Sequence, residues 1–309
     1  MVVGASSGIG RSVAVRLAAR GDHLVLVSRG ARPLADTTAE CLRAGAASAE
    51  AHPADVLDLP GLEGVVAATQ ARVGPLDAVV HSAGVVAYGR FDRVPADVWD
   101  RVLDVNVRGA ANVARAVLPQ MRARDSGTLV LLGSVIGQIA VPGMSAYCVS
   151  KWAVHTLGRL LQLENRDRRG VRVSVVALGS VDTPIYAQAA NYLGRPGRPP
   201  PPVYSTERVA RRVVAVIDRP VKRVGVGPAN PVMRLGYVLT PGLFDVLVGP
   251  LFTRVATGRS PLPHGDGNVL RPVPEAEAVK GGHGSGVGAV IADLTRDAAA
   301  GVRRALRRR

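Results

Sequence analysis

Short β-branched apolar runs alternate with longer Ala-rich stretches of helical period from the first residue to about residue 227, and this alternation constrains the fold more than any other feature. It is the sequence form of repeated strand–helix units. Strands are predicted at 2–3, 23–28, 47–52, 76–81, 127–133, 171–177 and 222–227, and helices near 9–20, 33–44, 60–72, 95–123, 146–169 and 205–218. Runs such as Leu24-Val25-Leu26-Val27 and Leu129-Val130-Leu131-Leu132 lack polar alternation, which suits a sheet covered by helices on both faces. The expectation is an α/β fold on one doubly wound parallel seven-stranded sheet. Aromatic residues are only 4% of the chain, so Ala, Val and Leu fill the core, as layered α/β packing allows.

The first strand runs straight into Gly4-Ala5-Ser6-Ser7-Gly8-Ile9-Gly10 and a helix. Glycines at a strand-to-helix turn let backbone approach a diphosphate, and the helix N-terminus offers unpaired N–H groups and partial positive charge. A dinucleotide is expected there, although the spacing differs from the general fingerprint and a tight turn alone would also use it. The second strand ends in Ser28-Arg29, where a site selective for NAD would place a carboxylate on the ribose 2′-hydroxyl. Arg29 instead offers a planar fork to a 2′-phosphate, so NADP is preferred over NAD.

Tyr147 and Lys151 stand four apart at the start of a predicted helix, which puts them on one face, one turn apart. An ammonium beside a phenol favours the phenolate and moves its pKa toward the range of acid–base work. A Tyr-x-x-x-Lys pair alone is common on any helix.

Taken together these features resemble the short-chain dehydrogenase/reductase family, in its shorter single-domain branch. The resemblance covers about residues 1–228 and rests on order and spacing: the glycine turn, Asp55-Val56 after the third strand, Ser82-Ala83-Gly84 after the fourth, Asn106-Val107-Arg108-Gly109 in a helix, Ser134 after the fifth strand, then Tyr147 and Lys151. It implies a Rossmann-type domain that exchanges a hydride between NADP(H) and a carbonyl or secondary alcohol. Tyr147 would exchange the proton with the substrate oxygen. Lys151 would lower the Tyr147 pKa and bond the nicotinamide ribose, Ser134 would donate to the substrate oxygen, and Asn106 would hold a water relaying protons from Lys151. On the cofactor side it implies Gly4, Ser6, Ser7, Gly8, Ile9 and Gly10 around the diphosphate, Asp55 and Val56 at the adenine, and Ser82, Ala83 and Gly84 along the cofactor. Thr183 would reach the nicotinamide amide. A homodimer or homotetramer through the 95–123 and 146–169 helices is implied as well.

Three departures stand out. His81 replaces the usual Asn before Ser82-Ala83-Gly84, Leu178 replaces the usual Pro before Gly179, and Val3 replaces the usual Thr before Gly4. Only Met1, Val2 and Val3 precede Gly4, whereas a central strand usually has five or six residues. Two explanations compete, a start assigned too late and a truncated first strand, and the first is preferred. The short strand and His81 also suggest a rival from another class: a catalytically silent dinucleotide-binding sensor on the same fold.

The remaining chain divides into a cover at 229–257 and a tail at 258–309. Residues 235–253 are apolar apart from Asp245 and are interrupted by Pro241, Gly242, Gly249 and Pro250. A broken amphipathic segment over a substrate pocket or a partner subunit is expected, with peripheral membrane contact as the second reading. The Pro-rich run at 195–203 reads as a loop bordering the site. From 258 on, Gly, Pro and His dominate, as in Gly281-Gly282-His283-Gly284, and a flexible basic tail is expected. Its last stretch, 290–309, could form a short basic helix, and a solvated terminus is preferred there over an anchor to an anionic surface. Two cysteines, Cys41 and Cys148, exclude a disulfide framework and a cysteine-built zinc site, and no metal is expected. No secretory signal opens the chain, so a cytoplasmic protein is expected. The net charge of +15 rests on 36 Arg and three Lys, scattered rather than clustered, which argues against a nucleic-acid partner.

Overall fold

The structure, a computed structural model, describes residues 1–284 and residue 288. In chain order the strands and helices are β1 (Val2–Val3), α1 (Gly8–Ala18), β2 (His23–Ser28), α2 (Ala31–Arg43), β3 (Ser48–Pro53), α3 (Leu59–Arg72), β4 (Ala78–His81) and β5 (Ala87–Tyr88). They continue with α4 (Ala96–Leu103), α5 (Gly109–Ala123), β6 (Gly127–Ser134), α6 (Ser145–Glu164), β7 (Val171–Leu178), β8 (Ala190–Asn191), α7 (Thr206–Asp218), β9 (Arg223–Val226), α8 (Ala229–Leu239) and α9 (Pro241–Val255).

Seven parallel strands form one sheet in the order β3-β2-β1-β4-β6-β7-β9, and β5 pairs with β8 beside it. Alternation along each strand sorts the core. Val2, Leu24 and Leu26 face a layer with Val13 of α1, Leu34 of α2 and Val213 of α7. Val3, Val25 and Val27 face the opposite layer with Leu62 of α3, Val113 of α5 and Val154 of α6. Both faces are therefore covered, the condition under which apolar runs without alternation are stable. Although β1 has two residues, both are fully buried, and Val3 pairs with Val27 on one side and His81 on the other. The strand order reverses between β1 and β4, and a doubly wound sheet opens a crevice at such a reversal.

Three expectations are corrected. The helix expected over 95–123 is two helices joined by a π-helical turn, Asp104–Arg108, that carries Asn106; the extra residue in that turn shifts the inward face by one position. Pro250 lies inside α9 instead of breaking it, and the only break in the cover is at Thr240–Pro241. Loss of one N–H leaves a carbonyl on a face that water reaches, since Val246 is 70% exposed. Finally, residues 258–284 lie along the domain rather than forming a flexible tail, because their backbone finds partners: Asn191 N–H donates to the Gly265 carbonyl (2.7 Å) and Asn268 N–H to the Gln188 carbonyl (2.8 Å). The basic helix expected over 290–309 lies outside the described residues.

Candidate active site

The crevice at the β1/β4 reversal is lined by Gly4, Ser6, Ser7, Gly8, Ile9, Arg29, Asp55, Val56, Ser82, Ala83, Gly84 and Thr183. Gly4 has φ +83°, and a Cβ there would lie 2.5 Å from the Ala83 nitrogen, so only glycine lets the turn sit against the 82–84 segment. Gly10 lines no part of the crevice; a Cβ on it would overlap the Gly4 carbonyl, so its absence brings α1 down onto the turn. Asp55 is held at the crevice wall, accepting from Leu57 N–H (2.9 Å) and from Arg101 (3.0 Å). Gly109 leaves room for Val56, whose carbonyl accepts from Asn112 (3.0 Å). A cradle that backbone approaches this closely, at a helix N-terminus and with a guanidinium at the end of β2, fits a dinucleotide phosphate chain.

Sequence reasoning missed part of this crevice. Gln188, Asn268 and Glu277 also line it. The Gly8 N–H donates to the Ala278 carbonyl (2.8 Å), Arg29 donates to the Asn268 carbonyl (3.2 Å), and His283 N–H donates to Asp182 (2.9 Å). Burial pushes the Glu277 carboxyl up against the opposing pull of Ser6 and Arg29. No motif in a Gly- and Pro-rich segment signals such a placement.

A second pocket opens off the first, meeting it at Ile9, Thr183 and Ile185, and it contains Ser134 and Tyr147. Ser134 ends β6, and its hydroxyl accepts from Ile136 N–H (3.2 Å). Tyr147 and Lys151 lie on the first turns of α6, with the ammonium 5.6 Å from the Tyr147 ring centre. Behind them Asn106 is locked in place: Val85 N–H donates to its Oδ1 (2.8 Å), while its Nδ2 donates to the Val85 carbonyl (2.9 Å) and to Ser150 (2.9 Å). A Cβ on Gly84 would lie 3.1 Å from Asn106 Oδ1 and 3.6 Å from Lys151 Nζ, so both side chains stand directly behind the Gly84 wall of the first pocket.

The electrostatics differ from expectation. Burial raises the Tyr147 hydroxyl to about 12, with hydrogen bonding to Ser134 pulling it back, and burial lowers Lys151 to about 8. The expected lowering by Lys151 is not among the causes acting on Tyr147; the Lys151 Nζ donates to the Leu132 carbonyl (3.1 Å). A further residue went unnoticed in the sequence: His155, one turn beyond Lys151. Its Nε2 lies 3.0 Å from the Ser134 carbonyl, and burial lowers it to about 4, so a neutral ring braces the Ser134 backbone. The spacing Tyr147, Lys151, His155 was the available signal. Cys148, next to Tyr147, is buried, and burial raises its thiol to about 11, the condition of an inert structural thiol. Among the described residues no group of three His, Cys, Asp or Glu side chains could hold a metal ion.

A family model for short chain dehydrogenases matches residues 1–192. The chain belongs to the short-chain dehydrogenase/reductase family. Among members of that family, it is 35% identical over 188 residues to 2-(R)-hydroxypropyl-CoM dehydrogenase of Xanthobacter autotrophicus, covering 60% of this chain and 75% of that one. It is 32% identical over 181 residues to a 3-oxoacyl-(acyl-carrier-protein) reductase of Staphylococcus aureus, covering 59% and 73%. Similarity to glycine betaine reductase of Emericella nidulans is 32% over 225 residues, which is 71% of this chain but only 17% of that protein. A solved short-chain dehydrogenase from Streptomyces avermitilis superposes with a TM-score of 0.66 at 27% identity, covering 78% of this chain and 93% of that one.

Proposed function

We propose that this family member is an NADP-dependent oxidoreductase acting on a carbonyl or secondary alcohol that carries an apolar chain. The observation that carries the reading is that Ser134 and Tyr147 line a pocket that meets a phosphate-type cradle, with Lys151 beside the Tyr147 ring and, with Asn106, behind Gly84 of the cradle wall. NADPH, when bound, supplies the hydride. Gly4, Ser6, Ser7, Gly8 and Ile9 hold its phosphates, Arg29 selects a 2′-phosphate, Asp55 and Val56 border the adenine, and Ser82 to Gly84 and Thr183 line its course. Ser134 holds the substrate oxygen beside Tyr147, whose hydroxyl delivers the proton during reduction. At neutral pH a phenol near 12 and an ammonium near 8 are both protonated, the state that reduction requires. Lys151 and Asn106 form the proton path behind Tyr147.

The apolar part of the substrate is argued from the cover at 229–257. An adjoining groove of about 450 Å³, lined by α8, α9 and Pro200 to Pro202, shares Ile139, Val141, Met233 and Phe252 with the Tyr147 pocket. Pro200 of the Pro-rich loop lines both, which supports the reading of that loop as a border of the site. The outer face of α8–α9 is the basis for peripheral membrane contact, and the exposed Val149, Trp152 and Leu160 of α6 for a homodimer or homotetramer. A cytoplasmic location suits the reading, and among the described residues no helix is long and apolar enough to cross a membrane.

The test is NADPH consumption over ketones and aldehydes of increasing chain length, repeated with NADH. The expected result is turnover that rises with chain length and is faster with NADPH. Tight NADPH binding with no oxidation across the panel would support the catalytically silent dinucleotide-binding protein instead.

A further inference from the structure

We propose that residues 274–283 are a built-in competitor of the cofactor, a strap that occupies the dinucleotide crevice and must leave before NADP(H) binds. The inference rests on the cofactor reading above and adds a mode of regulation to it.

The strap follows the course assigned to the cofactor and uses the same protein groups. At the β2 end Glu277 enters the crevice beside Arg29: its Oε1 would lie 3.3 Å from a Cβ on Gly30, and its Oε2 is buried without a hydrogen-bond partner. A carboxylate at this point mimics the 2′-phosphate that Arg29 would hold. One residue on, the Ala278 carbonyl takes the Gly8 N–H at 2.8 Å. That N–H belongs to the glycine turn at the start of α1, and while bonded to Ala278 it cannot serve a phosphate oxygen. Farther along, Gly281 lies so close to the Thr183 carbonyl that a Cβ would overlap it, and the His283 ring sits edge-on to Tyr186 at 5.5 Å. The strap thus reaches from the Arg29 end to the Thr183 end of the crevice.

With the strap in place the crevice offers about 150 Å³, short of the roughly 300 Å³ at the lower end for small-molecule sites. A lid closing over a bound cofactor would leave the Gly8 N–H free for its phosphates. The anchors are weak enough for release. Lys280–Glu207 is a 3.0 Å ion pair between side chains that are both more than half exposed, a kind that contributes little. Apart from the 3-10 turn Pro274–Ala276 the segment has no regular structure, so local opening need not disturb the sheet.

The test uses the full chain with Glu277→Ala and Gly281→Val. Glu277→Ala removes the phosphate mimic, and Gly281→Val drives the strap away from Thr183. If the open form is about a tenth of the population, releasing the strap tightens apparent cofactor binding about tenfold. Titration with NADPH and NADH should show Gly281→Val tightening both and Glu277→Ala favouring NADPH, with melting temperatures confirming that each variant is folded. Hydrogen exchange across 274–283 should quicken in wild type at saturating NADPH. If wild type binds NADPH, neither variant binds it tighter and exchange in the strap is unchanged or slowed, the strap proposal fails while the cofactor reading stands. If wild type and both released variants take up neither dinucleotide, both fail; binding gained only on release supports both.

Discussion

His81 sits fully buried at the end of β4, and neither ring nitrogen has a hydrogen-bond partner. Burial, reinforced by Lys151, lowers it to about 3. The unfolded chain binds a proton at this residue below about 6.5, while the folded chain binds it only near 3. Stability from this group is therefore intact above pH 6.5 and declines as pH falls toward 3. His81→Asn removes the titration, so its melting temperature should fall less steeply than that of wild type over this window; parallel slopes would refute the assignment. At this scale Tyr147, Lys151, Ser134 and Asn106 were legible because each sits at a fixed offset from a strand end or on one helix face. Glu277 and Asn268 were not, because they reach the crevice from more than 200 residues beyond Arg29, and spacing says nothing about a contact of that range.

At the scale of elements, the strands were legible because apolar runs without alternation admit few other fates, whereas the π-helical turn was not, since hydrophobic period averages over a single inserted residue. The cover is the least conventional pair of elements. Leu235, Val238, Leu239, Leu243, Val246, Leu247 and Leu251 are all more than half exposed, well beyond isolated surface apolar residues. Between Asp218 and Asp266 the only acidic residue is Asp245, against six basic residues, so the surroundings favour an anionic lipid surface. Paired Leu239→Gln and Val246→Gln substitutions, neither of which lines the groove assigned to the substrate, should reduce partition onto anionic vesicles several-fold, since each removes exposed apolar area, without lowering the melting temperature. Partition equal to that of wild type would remove the membrane from the account.

For the whole molecule, the sheet reversal, the two meeting pockets and the adjoining apolar groove form one continuous path, along which the proposed function sets cofactor on one side of Tyr147 and an apolar substrate on the other. Composition led to the correct layered fold but misplaced 258–284, because backbone–backbone hydrogen bonds can dock a segment that has few apolar side chains of its own. The central claim is that Tyr147 handles the proton while the cradle holds the cofactor independently of it. It is tested most directly by Tyr147→Phe, measuring NADPH affinity and carbonyl reduction on the same preparation. Loss of turnover by at least about a hundredfold, the lower end for a positioned proton donor, with NADPH affinity nearly unchanged is the expected result; turnover at the wild-type rate would contradict it.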